Sequence, residues 1–202
     1  MNSQTRAMLS VVSIVFAPLF HAAAVLSQAP ASPHAPQSSA PQPATAPAAP
    51  VAIWKTYSYP ADGFSALFPS EPVEQKQSVP TSAGNIELRT YIAASGAVAL
   101  YVGACDYGAA AGSSDPDAVL EGAKNGAVTN VHGHLITSKK VTLGIYPGIA
   151  FEADAEGAHL FGRIYLVGNI LYQAFVAGPS DQPFPDTAKF LDSFQLIPRT
   201  SP

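Results

Sequence analysis

The dipeptide Gly168-Asn169 stands between two apolar runs, His159 to Val167 and Ile170 to Ala177, and constrains this chain more than any other feature. Two residues of that chemistry between alternating apolar segments specify a tight antiparallel hairpin. With them as the loop, Val167 faces Ile170 and the pairing steps outward from there. Side chains alternate along each strand, so Leu160, Ile164 and Leu166 share a core face with Leu171 and Phe175. The opposite face mixes Phe161, Arg163 and Tyr165 with Tyr172 and Val176.

Similar punctuation recurs upstream. Leu135 to Leu143 and Ile149 to Ala155 read as strands, and Tyr146-Pro147-Gly148 predicts a type II turn between them. Nearer the front, Ile53 to Tyr59 and Phe64 to Phe68 flank Pro60-Ala61-Asp62-Gly63, a turn by its Pro and Asp-Gly chemistry. Val73 to Val79 and Ile86 to Ala94 flank a loop over Thr81 to Asn85, and Val98 to Asp106 follows across Ser95-Gly96.

Between these groups the period changes. Ser114-Asp115-Pro116-Asp117 offers an N-cap, a proline for the first turn and acids near the positive end of a helix dipole. Val119, Leu120, Ala123 and Ala127 supply the apolar stripe of that helix. Gly122 and Gly126 each weaken it by about 1 kcal/mol relative to Ala, which predicts a helix lying close on a sheet. Pro185 to Ser193 reads as a second, short helix, with Phe190 and Phe194 one turn apart. Strands, a helix, more strands and a helix predict an α+β fold with an antiparallel sheet.

The first fifty residues are of another kind. Arg6, the apolar run Ala7 to Phe20 and the small residues Ala22-Ala23-Ala24 have the layout of a secretory signal, residues 1–24. Cleavage after Ala29 would leave Pro30 next to the cut and is the poorer site. An uncleaved anchor over Ala7 to Leu26 is the rival reading, but Pro18 and His21 interrupt that run. No cysteine lies near the cut, which excludes a lipoprotein. Residues 25–50 form an Ala/Pro-rich linker, with prolines at 30, 33, 36, 41, 43, 47 and 50 and no charged side chain. Such a segment buries too little apolar surface to offset its ordering entropy, so it is expected to be disordered with polyproline-II character. The expected domain covers residues 51–199, with a tail at 200–202.

Charge narrows the partners. Ten Lys plus Arg against 14 acidic residues give a net charge of −4, and loss of Arg6 with the signal makes it −5. No basic cluster provides an electrostatic footprint for nucleic acid or for an anionic membrane surface. After cleavage no membrane insertion is expected, and the location is periplasmic or secreted. The lone cysteine, Cys105, permits neither an internal disulfide nor a thiolate metal cage, and no basic neighbour flanks it to activate the thiol.

Few residues suggest chemistry. His132-Gly133-His134 is a weak metal candidate: in an extended segment both imidazoles point the same way, and a third ligand would come from Asp154, Glu156 or His159 on a distant loop. The competing reading is a pair of exposed polar residues at a helix-to-strand connection. No Gly-x-Ser-x-Gly elbow, phosphate-cradling loop or dinucleotide fingerprint occurs. Asp115 and Asp117 are explained by helix capping, and Glu152, Asp154 and Glu156 by one acidic, solvated strand face. Arg163, Tyr165 and Tyr172 form a possible partner-binding patch on the less apolar hairpin face, since Arg and Tyr are enriched in binding hot spots. The alternative is that the terminal helix covers this face and all three are packing residues.

Several segments jointly resemble the PsbP/Mog1-like superfamily, and within it secreted bacterial members. They are ADGFSALFP (Ala61 to Pro69), VLEGAKNG (Val119 to Gly126), LGIYPGIAFE (Leu143 to Glu152), RIYLVGNILYQ (Arg163 to Gln173) and FLDSFQL (Phe190 to Leu196). The resemblance spans nearly all of Trp54 to Ile197. It implies an α/β/α sandwich around a twisted antiparallel sheet, in a superfamily of mostly non-catalytic proteins: extrinsic photosystem subunits, a factor that binds a small GTPase, and bacterial lipoproteins. Secreted members are expected to carry a basic residue after the Tyr-Pro-Gly turn and another after Gly-Asn; here Ile149 and Ile170 stand there, which removes support for an anion-binding role. The expected function is an exported, non-catalytic binding or assembly module without a cofactor, partnered by a protein or small ligand of the cell envelope. A small-ligand or metal carrier is the alternative, and an extracytoplasmic hydrolase the more distant one.

Overall fold

The strands anticipated from the sequence fall into two sheets. The computed structural model describes residues 53–81, 84–108, 115–182 and 184–200; the signal and linker expectations lie outside them. The described strands are β1 (Lys55–Tyr59), β2 (Phe64–Phe68), β3 (Val73–Thr81), β4 (Gly84–Ser95), β5 (Val98–Asp106), β6 (His134–Leu143), β7 (Tyr146–Ala155), β8 (Ala158–Val167), β9 (Ile170–Pro179) and β10 (Gln195–Leu196). Helix α1 (Pro116–Asn130) follows β5, and α2 (Thr187–Asp192) precedes β10.

The large sheet has seven strands in the order β3-β4-β5-β9-β8-β7-β6, and its neighbours pair antiparallel. The β8–β9 hairpin has the register its sequence predicts, from Val167↔Ile170 to Leu160↔Ala177 and beyond. The β6–β7 connection differs from expectation. Gly144-Ile145 makes the turn, while Tyr146, Pro147 and Gly148 belong to β7 and pair with Leu143, Thr142 and Val141. Gly144 has φ +61°, which a glycine adopts without steric cost and which the first position of a tight type II′ hairpin turn demands. That local preference overrides the Pro-Gly signal two residues on.

Asp115 caps α1: its carboxylate accepts from the Asp117 N–H, and Pro116 follows where no donor is needed. Leu120, Ala123 and Ala127 are buried, and the helix packs against β6, β7 and β8. Phe151, Leu160 and Ile164 line the sheet face beneath it, and an added Cβ at Gly162 would come within 2.2 Å of the Phe151 ring. That contact is between neighbouring strands, with Gly162 opposite Phe151 in the β7–β8 ladder.

The other face of the large sheet carries the main core. Leu100, Val102, Tyr165, Tyr172, Ala174 and Val176 meet Phe64, Ala66 and Phe68 of β2 and Phe190, Leu191 and Phe194 of the terminal segment. Fully burying one such Phe is worth about 1.5–3 kcal/mol. β1, β2 and β10 form a separate three-stranded sheet over this face, with Leu196 paired to Phe64. The fold is α+β as expected, with α1 on one face of the large sheet and the small sheet plus the short α2 over the other.

Candidate functional site

Three groups of polar side chains among the described residues bear on the sequence-based candidates. The first surrounds Asp62, which the sequence presents only as turn chemistry. Asp62 is 5% exposed, and both carboxylate oxygens are occupied: Arg89 Nη1 donates to one at 3.1 Å, and the Tyr91 hydroxyl donates to the other. Arg89 also donates to Glu87 at 2.5 Å. The Tyr172 hydroxyl donates to the Asp62 carbonyl at 2.5 Å, and Arg199 Nε to the Ala61 carbonyl at 3.2 Å. Gly63 closes the turn at φ +78°, where an added Cβ would sit 2.6 Å from Arg199 Cγ. Burial above all pushes the Tyr172 phenol up to about 12. Burial and the Asp62 hydrogen bond push that of Tyr91 well above the usual range. These tyrosines are therefore neutral donors at physiological pH. The arrangement clamps the β1–β2 turn onto the large sheet.

The second group is the expected partner patch, and the structure encloses its aromatic members. Tyr165 is 4% exposed and Tyr172 2%. Phe194, just beyond α2, lies between them, with ring centroids 5.9 Å from Tyr165 and 5.5 Å from Tyr172. Arg163 reaches the end of α2, donating to the Leu191 carbonyl at 3.2 Å and to Asp192 at 2.5 Å. The covering terminal segment thus has the effect that the alternative sequence reading describes. Tyr165 and Tyr172 are packing residues here, and Arg163 tethers the helix that hides them.

The third group lies farther out on the same sheet face. His134 is the Cα partner of Asp154, and Asp154 is that of His159. His159 Nδ1 lies 2.7 Å from Asp154 Oδ1, and its ring lies against that of Phe161, with centroids 4.4 Å apart and planes tilted by 34°. Thr137 partners Glu152, which partners Phe161, and Lys139 shares the face through Ala150 and Arg163. His134, Thr137, Lys139 and Asp154 are exposed, while Glu152, His159 and Phe161 are half-buried. Asp154 and His159 therefore come from adjoining strands, not from the distant loop anticipated.

The weak metal candidate divides. His132 is not extended: its φ is 52°, its N–H donates to the Thr129 carbonyl, and the Gly133 N–H donates to the Val128 carbonyl. That pair of bonds is the Schellman arrangement ending α1, with His132 in the left-handed position. A left-handed His132 breaks the alternation that would aim both imidazoles one way. Among the described residues, no three His, Cys, Asp or Glu side chains come together as a metal site. Cys105 is buried, and burial pushes its thiol up to about 11 against a smaller lowering by Tyr107. At neutral pH it is therefore a thiol rather than a nucleophilic thiolate.

No family model and no curated protein matches the chain. Among solved structures it is similar to the solution structure of cyanobacterial PsbP (CyanoP) from Synechocystis sp. PCC 6803. The TM-score is 0.51 at 13% identity, covering 76% of this chain and 98% of that one. A crystal structure from Bacteroides thetaiotaomicron VPI-5482 is also matched, with a TM-score of 0.38 at 14% identity over 70% of this chain and 48% of the other. The first match shows that the chain has a PsbP-like fold. Among the described residues, no helix is long and apolar enough to cross a membrane.

Proposed function

We propose that this chain is an exported, non-catalytic binding module of the cell envelope. Its partner is a protein that docks on the outer half of the large sheet, opposite α1. The observation that carries the reading is the row arrangement on β6, β7 and β8. His134, Thr137, Lys139, Glu152, Asp154 and His159 stand on one face as a mixed-charge surface beside the half-buried Phe161. Polar residues around an aromatic contact suit protein recognition, in which complementary charges set specificity more than raw affinity. Two further observations support a non-catalytic role. The Asp62 carboxylate is buried and both of its oxygens accept hydrogen bonds, from Arg89 and Tyr91, which fits a structural role, and Cys105 is a protonated, buried thiol. The signal and linker read from residues 1–50 fit a domain carried outside the cytoplasm on a loose arm.

Site-specific photo-crosslinking in native envelopes tests this. A probe at Thr137 should give a discrete protein adduct that a probe at Asn125, on the exposed side of α1, does not. Adducts at neither position, or the same adduct at both, would contradict the assignment of this face.

A further inference from the structure

The two edge strands of the large sheet differ in how they treat an incoming strand. β6 is broken by a register shift between Leu135 and Thr137 and carries Lys139 and Lys140 side by side, both devices that discourage strand addition. β3 has neither. Its register with β4 is unbroken from Val73↔Ile92 to Thr81↔Gly84, and Val73 through Ser78 are exposed. Val73, at 62% exposure, is among the most exposed large apolar side chains of the described residues. Beside it Glu74 and Lys76 form an ion pair at 3.4 Å, with their side chains 43% and 59% exposed.

We propose that β3 pairs antiparallel with β3 of a second copy of this chain, the dyad passing through Gln75. A two-fold axis perpendicular to the sheet keeps the faces of both copies aligned, so each dyad falls on a residue and opposed positions share a face. With the axis on Gln75, Glu74 faces the partner's Lys76 and Lys76 faces the partner's Glu74. Lys76 already stands opposite Arg89 within its own chain, so the partner's Glu74 also relieves a like-charge neighbour. An axis on Glu74 or on Lys76 instead opposes two like charges, which destabilises a ladder as opposite charges stabilise it. An axis on Gln77 lengthens the ladder but matches neither charge and brings in Pro80, which has no N–H to give. The charge pattern therefore selects both the partner, a second copy, and the register.

Sedimentation of the purified native chain at low ionic strength tests the association. The chain forms a dimer that weakens with salt. Lys76→Glu, which leaves glutamates facing glutamates, raises the dissociation constant about tenfold or more. The double charge swap Glu74→Lys/Lys76→Glu restores it. Both positions are exposed, and an unchanged melting temperature separates lost association from lost folding. Oxidation of the Gln75→Cys variant yields a disulfide-linked dimer, because the two copies of residue 75 are opposed. The Gln77→Cys copies lie about 14 Å apart along the ladder and do not link. The proposal is overturned by a chain that stays monomeric, by a dimer indifferent to Lys76→Glu, by failure of the double swap, or by linkage at 77 in place of 75.

Discussion

The hydroxyl of Tyr172, at the centre of the large sheet, donates a 2.5 Å hydrogen bond to the carbonyl of Asp62, 110 residues away at the turn of the small sheet. That bond joins the two sheets, and it makes stability depend on the phenol staying protonated. The folded chain holds Tyr172 at about 12, up from 10.0, chiefly through burial. Between those values the unfolded chain releases a proton that the folded chain retains. The contribution is full below pH 10 and falls by about 1.4 kcal/mol per pH unit up to about pH 12. Burial also raises Tyr59, Tyr91, Tyr101 and Tyr107. Urea midpoints measured from pH 8 to pH 11.5 should therefore decline at the alkaline end, and Tyr172→Phe should make the decline shallower without abolishing it. An equal slope in both proteins would show that Tyr172 does not couple to the fold in this way.

Tyr165 and Tyr172 also test the placement of the terminal segment. Both rings pack against Phe194 beneath the end of α2, so truncation leaves cavities in the main core. Tyr165→Ala and Tyr172→Ala should each cost about 3–5 kcal/mol in denaturant unfolding. Small losses would mean that the segment does not cover this face in solution.

Much of this architecture was legible locally, and what was not depends on distance along the chain. Gly168-Asn169 states its own hairpin, so the β8–β9 register and both of its faces follow from the sequence. Asp115 and Pro116 likewise announce the start of α1. The Asp62 clamp could not be read that way. Its partners Arg89 and Tyr91 lie 27 and 29 residues on, and an Asp before Gly is already explained by the turn. For the same reason β1, β2 and β10 read as strands, or in the case of β10 not at all, with no local sign that they form a sheet of their own. At Tyr146-Pro147-Gly148 two turn signals compete, and Gly144 prevails.

His132 offers a change that should strengthen the protein. A side chain in the left-handed position after α1 pays a steric cost that glycine avoids, and the Schellman bonds use only backbone atoms. His132→Gly is expected to raise stability by about 0.5–1 kcal/mol, read as a higher urea midpoint at unchanged slope. A loss of stability would show that the imidazole makes a contribution of its own.

The export reading predicts a mature chain that begins at Val25, after Ala22-Ala23-Ala24. Intact mass of the exported protein decides it. A chain that keeps Met1 and remains with the membrane would favour an anchor.

On the proposed reading, the outer sheet face binds a protein partner while the polar groups beneath the small sheet serve only the fold. Capture of that partner from native envelope extract, measured beside the melting temperature for wild type and Glu152→Lys, tests it most directly. Glu152 is half-buried, with its carboxylate 3.9 Å from His159, so reversing its charge alters the surface without emptying the core. A melting temperature within about 2 °C of wild type is expected, with at least a tenfold loss of capture. Capture at wild-type strength with the charge reversed would contradict it.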